Sequence, residues 1–312
     1  MQDKAKRGGR ILYDTIIIGG GIAGITAAIY AARKRMKFEL IAKDIGGQFM
    51  VSGEVLNYPG FKKTTGFELA EKMQEQLEFN KVRPKQETVK DVVKKGASFV
   101  VKTDRSEYET QTVIIATGAR PRKLGVPGED RLANKGVAYC SICDGPLFSN
   151  KKVAIIGGGN AALEAVDFMK DIASKIYMIV LLDSFVGHEY LIERVKKNLK
   201  VEVVFGAETK EIVGDKFVKG IRYVQRGKEK ALDVEGVIIE AGRVPNTDAF
   251  KKLVKIEDDG HVLIDCTTAT TTPGVFAAGD CASGHEYQYV IAAGQGCMAL
   301  LKAARYIANK KV

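Results

Sequence analysis

Two stretches of the chain repeat the same order of apolar and polar positions. In the first, the β-branched run from Thr15 to Ile18 predicts a buried parallel strand, because strands covered on both faces have continuous apolar runs. A glycine-rich turn follows, and residues 25–34 continue as an alanine-rich helix. Residues 38–42 then form another apolar run, which predicts the next strand. This stretch has the strand–turn–helix–strand order of a dinucleotide-binding unit.

The turn of the first stretch carries Gly19, Gly21 and Gly24 in the spacing GxGxxG. In this motif the first glycine permits a tight turn, the second lets a pyrophosphate approach the backbone, and the third lets helix and strand pack closely. The N-terminus of the helix offers unpaired N–H groups and a positive dipole end to the phosphates. Asp44 follows Gly24 by about 20 residues, which is the offset expected for an acid that hydrogen-bonds the adenosine ribose.

The second stretch repeats this pattern with three small residues in its turn: Gly157, Gly159 and Ala162. We expect a strand before the turn, a helix to about residue 173 and another strand over residues 176–182. Asp183 follows the motif by about 20 residues and takes the position of the ribose-binding acid. Two such units in one chain indicate a relay in which one nucleotide delivers a hydride and a flavin receives it.

The spacing of these units predicts an α/β fold of two Rossmann-like, three-layer domains, the second inserted in the first. Proline and glycine residues mark two connecting segments, at residues 120–128 and 242–246. We therefore expect one domain over residues 1–120 and 247–312, and another over residues 121–246. Asp280 follows a predicted strand and a glycine, where its carboxylate can accept a hydrogen bond from a ribityl hydroxyl.

Cys140 and Cys143 are the closely spaced pair among the five cysteines. A CxxC sequence can close into a reversible disulfide, and its surroundings can depress one thiol pKa so that a thiolate persists near neutral pH. The neighbouring Asp144 can act as a general acid or base. A structural thiol pair is the alternative interpretation. One CxxC cannot complete a four-ligand zinc site, so no metal is expected.

The remaining cysteines and the histidines receive weaker assignments. We interpret Cys266 and Cys297 as small hydrophobic residues and Cys281 as a bystander close to the flavin site. The histidines fall in no recognisable motif, and we expect surface or loop positions for all of them: His188, His261 and His285.

The chain is basic, with a formal net charge of +10. We interpret this charge as a solvated surface, and steering of an acidic partner protein is the alternative. No nucleic-acid-binding motif accompanies the charge, so no nucleic-acid partner is expected. The basic residues 1–10 precede an apolar run in the manner of a membrane anchor, but four glycines interrupt that run. We expect a cytoplasmic protein without a membrane segment, and assign no role to the basic extension.

The order of the short motifs resembles the low-molecular-weight thioredoxin reductases, a group of class II pyridine nucleotide-disulfide oxidoreductases, from about residue 12 to residue 308. These motifs are Gly46-Gly47-Gln48, Asn57-Tyr58-Pro59-Gly60, Ala116-Thr117-Gly118, CxxCDG at 140–145, Gly157-Gly158-Gly159-Asn160 and Gly279-Asp280. Residues 143–148 are also similar to the reductase half of the alkyl hydroperoxide reductase flavoprotein subunit.

The resemblance implies cofactors and site residues. FAD would bind the domain of residues 1–120 and 247–312, and a nicotinamide dinucleotide the domain of residues 121–246, which carries the redox CxxC. Beyond the glycine turn and Asp44, the implied FAD contacts are Gln48, Asn57, Thr117, Gly118, Asp280 and Gln288. The implied contacts to the nicotinamide dinucleotide, beside Gly157 and Asp183, are Gly159, Asn160 and Ala161.

The resemblance also implies roles for the cysteine pair. Cys143 would lie nearest the flavin, Cys140 would attack the substrate disulfide, and Asp144 would shuttle a proton. The family forms homodimers and reduces thioredoxin- or glutaredoxin-like proteins. Three other functions stay open: the reductase component of a peroxidase system, an FAD-dependent dithiol oxidase, and a basic binding module that retains the dinucleotide folds as relics.

One departure from the family concerns the electron donor. NADPH-using members carry an HRRDxFR-like stretch whose arginines bind the 2′-phosphate, whereas residues 180–186 of this chain contain no arginine. We therefore expect NADH to be favoured over NADPH, or another reductant to serve in place of both.

Overall fold

The computed structural model describes residues 11–52, 54–284 and 286–310. The basic N-terminal extension and His285 lie outside the described residues. The chain forms two compact units. Unit 1 comprises the described residues up to Ala119 and those from Pro245 onwards, and unit 2 comprises Arg120–Val244.

The described strands and helices alternate around the two glycine turns, and runs of consecutive strands lie between β5 and β10 and between β13 and β19. In chain order the strands are β1 (Leu12–Ile18), β2 (Phe38–Ala42), β3 (Glu54–Val55), β4 (Thr64–Thr65), β5 (Lys85–Gln86), β6 (Val89–Lys95), β7 (Ser98–Thr103), β8 (Glu107–Ile115), β9 (Ala119–Pro121), β10 (Val137–Ala138), β11 (Lys152–Ile156), β12 (Lys175–Ile179), β13 (Val201–Val204), β14 (Ala207–Gly214), β15 (Val218–Gln225), β16 (Lys228–Asp233), β17 (Gly236–Ile239), β18 (Arg243–Pro245) and β19 (Val275–Ala277). The α-helices are α1 (Ile22–Arg33), α2 (Gly66–Phe79), α3 (Ser141–Asp144), α4 (Asn160–Met169), α5 (Glu189–Lys196) and α6 (Tyr289–Asn309).

Unit 1 is built on a mixed sheet with the strand order β5-β2-β1-β8-β7-β6, and β19 pairs with β8. Strand β1 is parallel to both β2 and β8. Alternate residues of β1 enter two different cores: Ile17 packs with α1 and α6, whereas Ile16 and Ile18 pack with Phe250 and Val275 on the other face. Burial on both faces explains why β1 is an unbroken apolar run.

Unit 2 is built on a parallel five-stranded sheet with the order β10-β17-β11-β12-β13. Strand β11 also serves two cores: Val153 and Ile155 pack towards α4, and Ala154 and Ile156 pack towards the antiparallel sheet β14-β15-β16. In each unit the glycine turn follows the central strand at its carboxyl end, which is where doubly wound sheets bind their ligands.

Some element boundaries differ from the sequence prediction. Helix α4 ends at Met169, and in the turn that follows the N–H groups of Ile172 and Ala173 both donate to the Met169 carbonyl, at 3.0 and 2.8 Å. The ladder of β12 ends at Ile179, so Leu181 and Leu182 lie beyond the sheet. Of the helices within the described residues, none combines the length and the apolar character needed to cross a bilayer.

We predict that Gly24→Ala destabilises unit 1 much more than Gly21→Ala. A Cβ at Gly24 would overlap the carbonyl oxygen of Gly19, whereas a Cβ at Gly21 would meet no heavy atom within 4 Å. Overpacking of this kind costs about 1–3 kcal/mol of folding free energy. Thermal unfolding of the two apoproteins measures the difference, and equal melting temperatures would contradict the close helix–strand packing.

Candidate active site

The glycine turn of unit 1 has the geometry that the GxGxxG motif requires. Gly19 has a φ of +120°, and a Cβ there would overlap the carbonyl oxygen of Ala116. Gly21 precedes the first turn of α1, where no acidic residue lies, and the space beside its Cα is open. A pyrophosphate can therefore approach the free N–H groups of α1 without meeting a side chain or a negative charge.

The ends of neighbouring strands bring other predicted residues of unit 1 to the same edge of the sheet. Asp44 is exposed after β2, and the N–H of Gly46 donates to the carbonyl of Gly20 at 2.9 Å. Thr117 follows β8, and its hydroxyl donates to the carbonyl of Asn246 at 2.7 Å. Asp280 follows β19. Since β1, β2, β8 and β19 all run parallel, these residues lie at the carboxyl edge beside the glycine turn.

Three further predicted residues of unit 1 are held by hydrogen bonds. Gln48 lies in a 3₁₀ turn and donates from Nε2 to the carbonyl of Ala119 at 3.1 Å. Asn57 donates from Nδ2 to Oε1 of Gln288 at 3.1 Å, although the two are 231 positions apart. Tyr289 packs on Phe49 with ring centroids 4.4 Å apart and donates to the carbonyl of Gln48 at 3.2 Å. The fold thus joins the Gln48 turn to the start of α6.

The glycine turn of unit 2 is built in the same way. Gly157 has a φ of +143°, and a Cβ there would overlap the carbonyl oxygen of Glu240. Gly159 precedes Asn160, the first residue of α4, and Ala161 is exposed in the same turn. Oδ1 of Asn160 accepts a hydrogen bond from the N–H of His188 at 2.8 Å, so it fastens the following loop to this helix.

The loop after β12 carries the predicted ribose-binding acid. Asp183 is exposed, and its Oδ1 lies over Gly206, where an added Cβ would be only 3.0 Å away. Leu181, Leu182 and Val186 are 67%, 54% and 63% exposed and offer no charge. The nearby arginine of α5, Arg194, is already engaged with Asp167 at 3.0 Å.

Cys140 and Cys143 form a disulfide with a Cα–Cα distance of 5.4 Å. Cys140 is the N-cap of the short helix α3, and its Sγ accepts a hydrogen bond from the N–H of Cys143 at 3.1 Å. Cys143 is exposed, whereas Cys140 is half-buried. A Cβ at Gly145 would lie 2.8 Å from Met169 Sδ and 2.9 Å from the Phe168 ring, so a larger residue there would have to displace these side chains.

Asp144 adjoins the disulfide and is partly buried. Its N–H donates to the carbonyl of Cys140 at 3.2 Å. Burial raises the pKa of the Asp144 carboxyl above its ordinary value, because desolvation disfavours the charged form. A raised pKa keeps a proton available closer to neutral pH, which suits a general acid beside a thiol pair.

Two carboxylates of unit 2, one buried and one half-buried, were missed by the sequence analysis. Glu129 is only 2% exposed and accepts hydrogen bonds from Tyr139 Oη at 2.6 Å and from the N–H groups of Leu124 and Gly125 at 3.0 and 2.7 Å. Since Tyr139 directly precedes Cys140, the Glu129 carboxylate helps to hold the segment that leads into the disulfide. Burial raises the pKa of the Glu240 carboxyl to about 7, and the backbone carbonyl of this residue lies against Gly157. No local pattern marks either residue.

The structure corrects one cysteine assignment. Cys266 is exposed, so its interpretation as a small hydrophobic residue was wrong. It lies in a turn, and the residues before it, 262–264, form isolated bridges and not a full strand. Cys297 is partly buried on α6, and Cys281 is fully buried, with its thiol donating to the carbonyls of Ile115 and Ala278. Of the histidines, His188 is exposed and His261 is mostly buried.

Comparison with known proteins agrees with the glycine turns and the cysteine pair described above. A solved thioredoxin reductase from Lactococcus lactis superposes with a TM-score of 0.91, at 33% identity, over 95% of this chain and 99% of that chain. An alkyl hydroperoxide reductase subunit from Staphylococcus aureus is 38% identical over 95% of this chain and 59% of its own length. A Bacillus subtilis protein named NADH dehydrogenase is 38% identical over 95% of this chain and 58% of its length. The chain thus spans less than three fifths of these two curated relatives.

These likenesses confirm the resemblance and the α/β fold of Rossmann-type domains that the sequence predicted. The pyridine nucleotide-disulphide oxidoreductase family model matches residues 13–296, which covers both glycine turns and the CxxC. The chain belongs to the pyridine nucleotide-disulphide oxidoreductase family.

Proposed function

We propose that this chain is a disulfide reductase that passes electrons from a nicotinamide nucleotide through FAD to the Cys140–Cys143 pair, and from there to a thioredoxin- or glutaredoxin-like protein. The observation that carries the proposal is the closed Cys140–Cys143 disulfide with Asp144 beside it. The two glycine turns supply a site for each nucleotide, and the similarity to thioredoxin reductases suggests the acceptor.

Unit 1 is the proposed FAD domain. Its open glycine turn, free of acidic side chains, fits a pyrophosphate, and Asp44, Asp280 and Gln288 supply acceptors for ribose and ribityl hydroxyls. When bound, FAD supplies the carrier that accepts a hydride and passes on two electrons. Unit 2 is the proposed nicotinamide-nucleotide domain, with Gly159, Asn160 and Ala161 at the N-terminus of α4 and Asp183 towards the adenosine ribose.

The cysteine pair then carries out thiol–disulfide exchange. After the Cys140–Cys143 disulfide has been reduced, the Cys140 thiolate attacks the substrate disulfide, and one substrate sulfur leaves as a thiol. The Cys143 thiolate next attacks the mixed disulfide, which reforms the Cys140–Cys143 bond and releases the second substrate thiol. Asp144 is the proposed proton donor and acceptor for these thiols.

A second candidate function is the reductase component of a peroxidase system. It is favoured by the 38% identity to the alkyl hydroperoxide reductase subunit of Staphylococcus aureus, and residues 143–148 lie within that match. The same cysteine pair would serve, and only the acceptor protein would differ.

Turnover of acceptors by the FAD-loaded protein tests the proposal. We expect it to reduce a thioredoxin- or glutaredoxin-like protein at the expense of the nicotinamide nucleotide. Preferential reduction of a peroxidase's carrier protein would favour the second candidate. Oxygen uptake driven by small dithiols, without nicotinamide nucleotide, would instead identify a dithiol oxidase.

We predict that NADH reduces the flavin with at least about tenfold higher specificity than NADPH. A 2′-phosphate needs a cationic partner, and hydrogen bonds to charged groups contribute roughly 1.5–3 kcal/mol each. The loop after β12 offers Leu181, Leu182 and Val186 in place of such partners, and the exposed Asp183 carboxylate repels a phosphate but accepts a bond from a free 2′-hydroxyl. The name NADH dehydrogenase of one relative agrees with this preference.

Stopped-flow flavin reduction with matched titrations of NADH and NADPH measures this preference. Leu182→Arg should raise the specificity for NADPH, because it restores a cation to the loop. Leu199→Arg is the matched control, since it adds the same charge to unit 2 at a residue that is 98% exposed. A preference of the unmodified protein for NADPH would overturn our interpretation of this loop.

The proposed assembly is a homodimer. Helix α6 presents an exposed stripe at Val290, Gly294, Met298 and Leu301, of which the three apolar side chains are 38–48% exposed. These residues recur every three or four positions along the helix and therefore share one face. An apolar helix face of this kind suits association with a second copy of the chain.

A further inference from the structure

A hydrogen-bonded chain of three side chains in unit 1 has no place in the proposed reaction. Nδ1 of His261 lies 2.8 Å from Oδ1 of Asp259, and Nε2 of His261 lies 2.7 Å from Oη of Tyr287. The His261 side chain is only 17% exposed, whereas Asp259 is 63% exposed, so the imidazole lies largely out of the solvent and the carboxylate reaches it from the surface. In such a chain the carboxylate orients the imidazole, and the imidazole in turn orients the phenol.

The charge on Asp259 fixes the role of each imidazole nitrogen. The hydrogen bond from His261 is the largest cause that lowers the pKa of Asp259, which is therefore an ionised acceptor at neutral pH. An ionised carboxylate can only accept, so Nδ1 carries the proton that it receives. In the neutral imidazole this leaves Nε2 as the acceptor for the Tyr287 hydroxyl. The tyrosine is thus held by a directional bond as well as by packing.

The segment that carries His261 also braces the chain just after Asp280. The N–H of Val262 donates to the carbonyl of Cys281 at 2.8 Å, and the N–H of Ser283 donates to the carbonyl of Val262 at 3.0 Å. The N–H of Ile264 donates to the Ser283 hydroxyl at 3.3 Å. Backbone bonds therefore fasten the beginning of the segment between Asp280 and Gln288.

The end of that segment is fastened by the Tyr287 side chain. The next residue, Gln288, is the N-cap of α6 and accepts a hydrogen bond from Asn57 at 3.1 Å. Gln288 has no side-chain capping bond of its own to the helix. The bond between Tyr287 and His261 is therefore a restraint applied one residue before Gln288.

We propose that His261 is a positioning residue for the flavin site: through Tyr287 it fixes Gln288 and the start of α6 in the arrangement that binds the isoalloxazine and ribityl part of FAD. The inference rests on the proposed function for the identity of the ligand. Asp259 acts one step further away, since it orients His261. His261 itself touches neither reacting atoms nor substrate.

The test is a double-mutant cycle on FAD binding by the full-length apoprotein. Tyr287→Phe and His261→Phe should each weaken FAD about threefold to tenfold, the range for losing one net hydrogen bond. The double variant should be no weaker than the weaker single variant, because both substitutions remove the same bond. His188→Phe is the control, since His188 is exposed in unit 2 and contacts Tyr190 by stacking.

The absorption spectrum of bound FAD adds a readout that general destabilisation would not move. We expect both single variants to shift the visible flavin band in the same way, while Tyr287→Phe leaves the melting temperature of the apoprotein unchanged. Unchanged FAD affinity in the single variants, or additive losses in the double variant, would overturn the inference alone. Absence of FAD binding by the unmodified protein would overturn the proposed function together with it.

Discussion

Cys140→Ser is expected to retain FAD and hydride uptake but to lose disulfide reduction, by on the order of a thousandfold or more, since removal of a nucleophile has effects of this size or larger. Serine cannot form the mixed disulfide through which electrons leave the protein. The closed pair, with Cys143 N–H bonded to Cys140 Sγ, shows that the two sulfurs already meet. Cys143→Ser should be equally inactive and should also lose the interaction between flavin and thiolate.

Cys266→Ser is the matched control for both substitutions, because Cys266 is free and exposed. It should turn over like the unmodified protein. Flavin reduction by the nicotinamide nucleotide, followed without an acceptor, should be preserved in all three variants. If either Cys140→Ser or Cys143→Ser reduces the acceptor at the unmodified rate, the dithiol route is wrong.

The parts of the site that can be predicted from local sequence are those where the backbone conformation favours one residue type. Gly19 and Gly157 have φ values that favour glycine, and in each case a Cβ would overlap a carbonyl oxygen of a neighbouring strand end. The positive φ belongs to the strand–turn–helix connection, so a single sequence is enough to identify it, whereas the overlap with Ala116 or Glu240 involves a strand from elsewhere in the chain. The CxxC is predictable for the same reason, because its geometry is local.

The parts that the sequence did not indicate are side-chain contacts between residues 10 and 26 positions apart, which belong to no motif. Glu129 and His261 have ordinary neighbours in sequence, and their significance arises from Tyr139 and Tyr287, which the fold brings to them. No periodicity records such a pairing. Cys266 shows the opposite error: its residue type suggested a small hydrophobic residue, but it lies in an exposed turn.

The proposed acid–base role of Asp144 rests on both kinds of information. Its position beside Cys143 is local, whereas its partial burial depends on the surrounding unit. Burial raises the pKa of the carboxyl, so the protonated form persists to higher pH than in an exposed aspartate. A general acid of this kind should lose effectiveness as the pH rises through its raised pKa. The rate of dithiol–flavin exchange is therefore expected to decline on the alkaline side of that value.

Asp144→Asn should slow dithiol–flavin exchange by about a hundredfold or more while FAD affinity stays nearly unchanged, since a positioned acid or base contributes typically 10²–10⁴-fold. The amide preserves the shape of the side chain but cannot exchange the proton, so the alkaline decline should vanish as well. Asp171→Asn, an exposed position of the same unit, controls for the lost charge. Stopped-flow traces across pH decide the matter: an unchanged exchange rate, or an unchanged pH profile, would show that another group moves the proton.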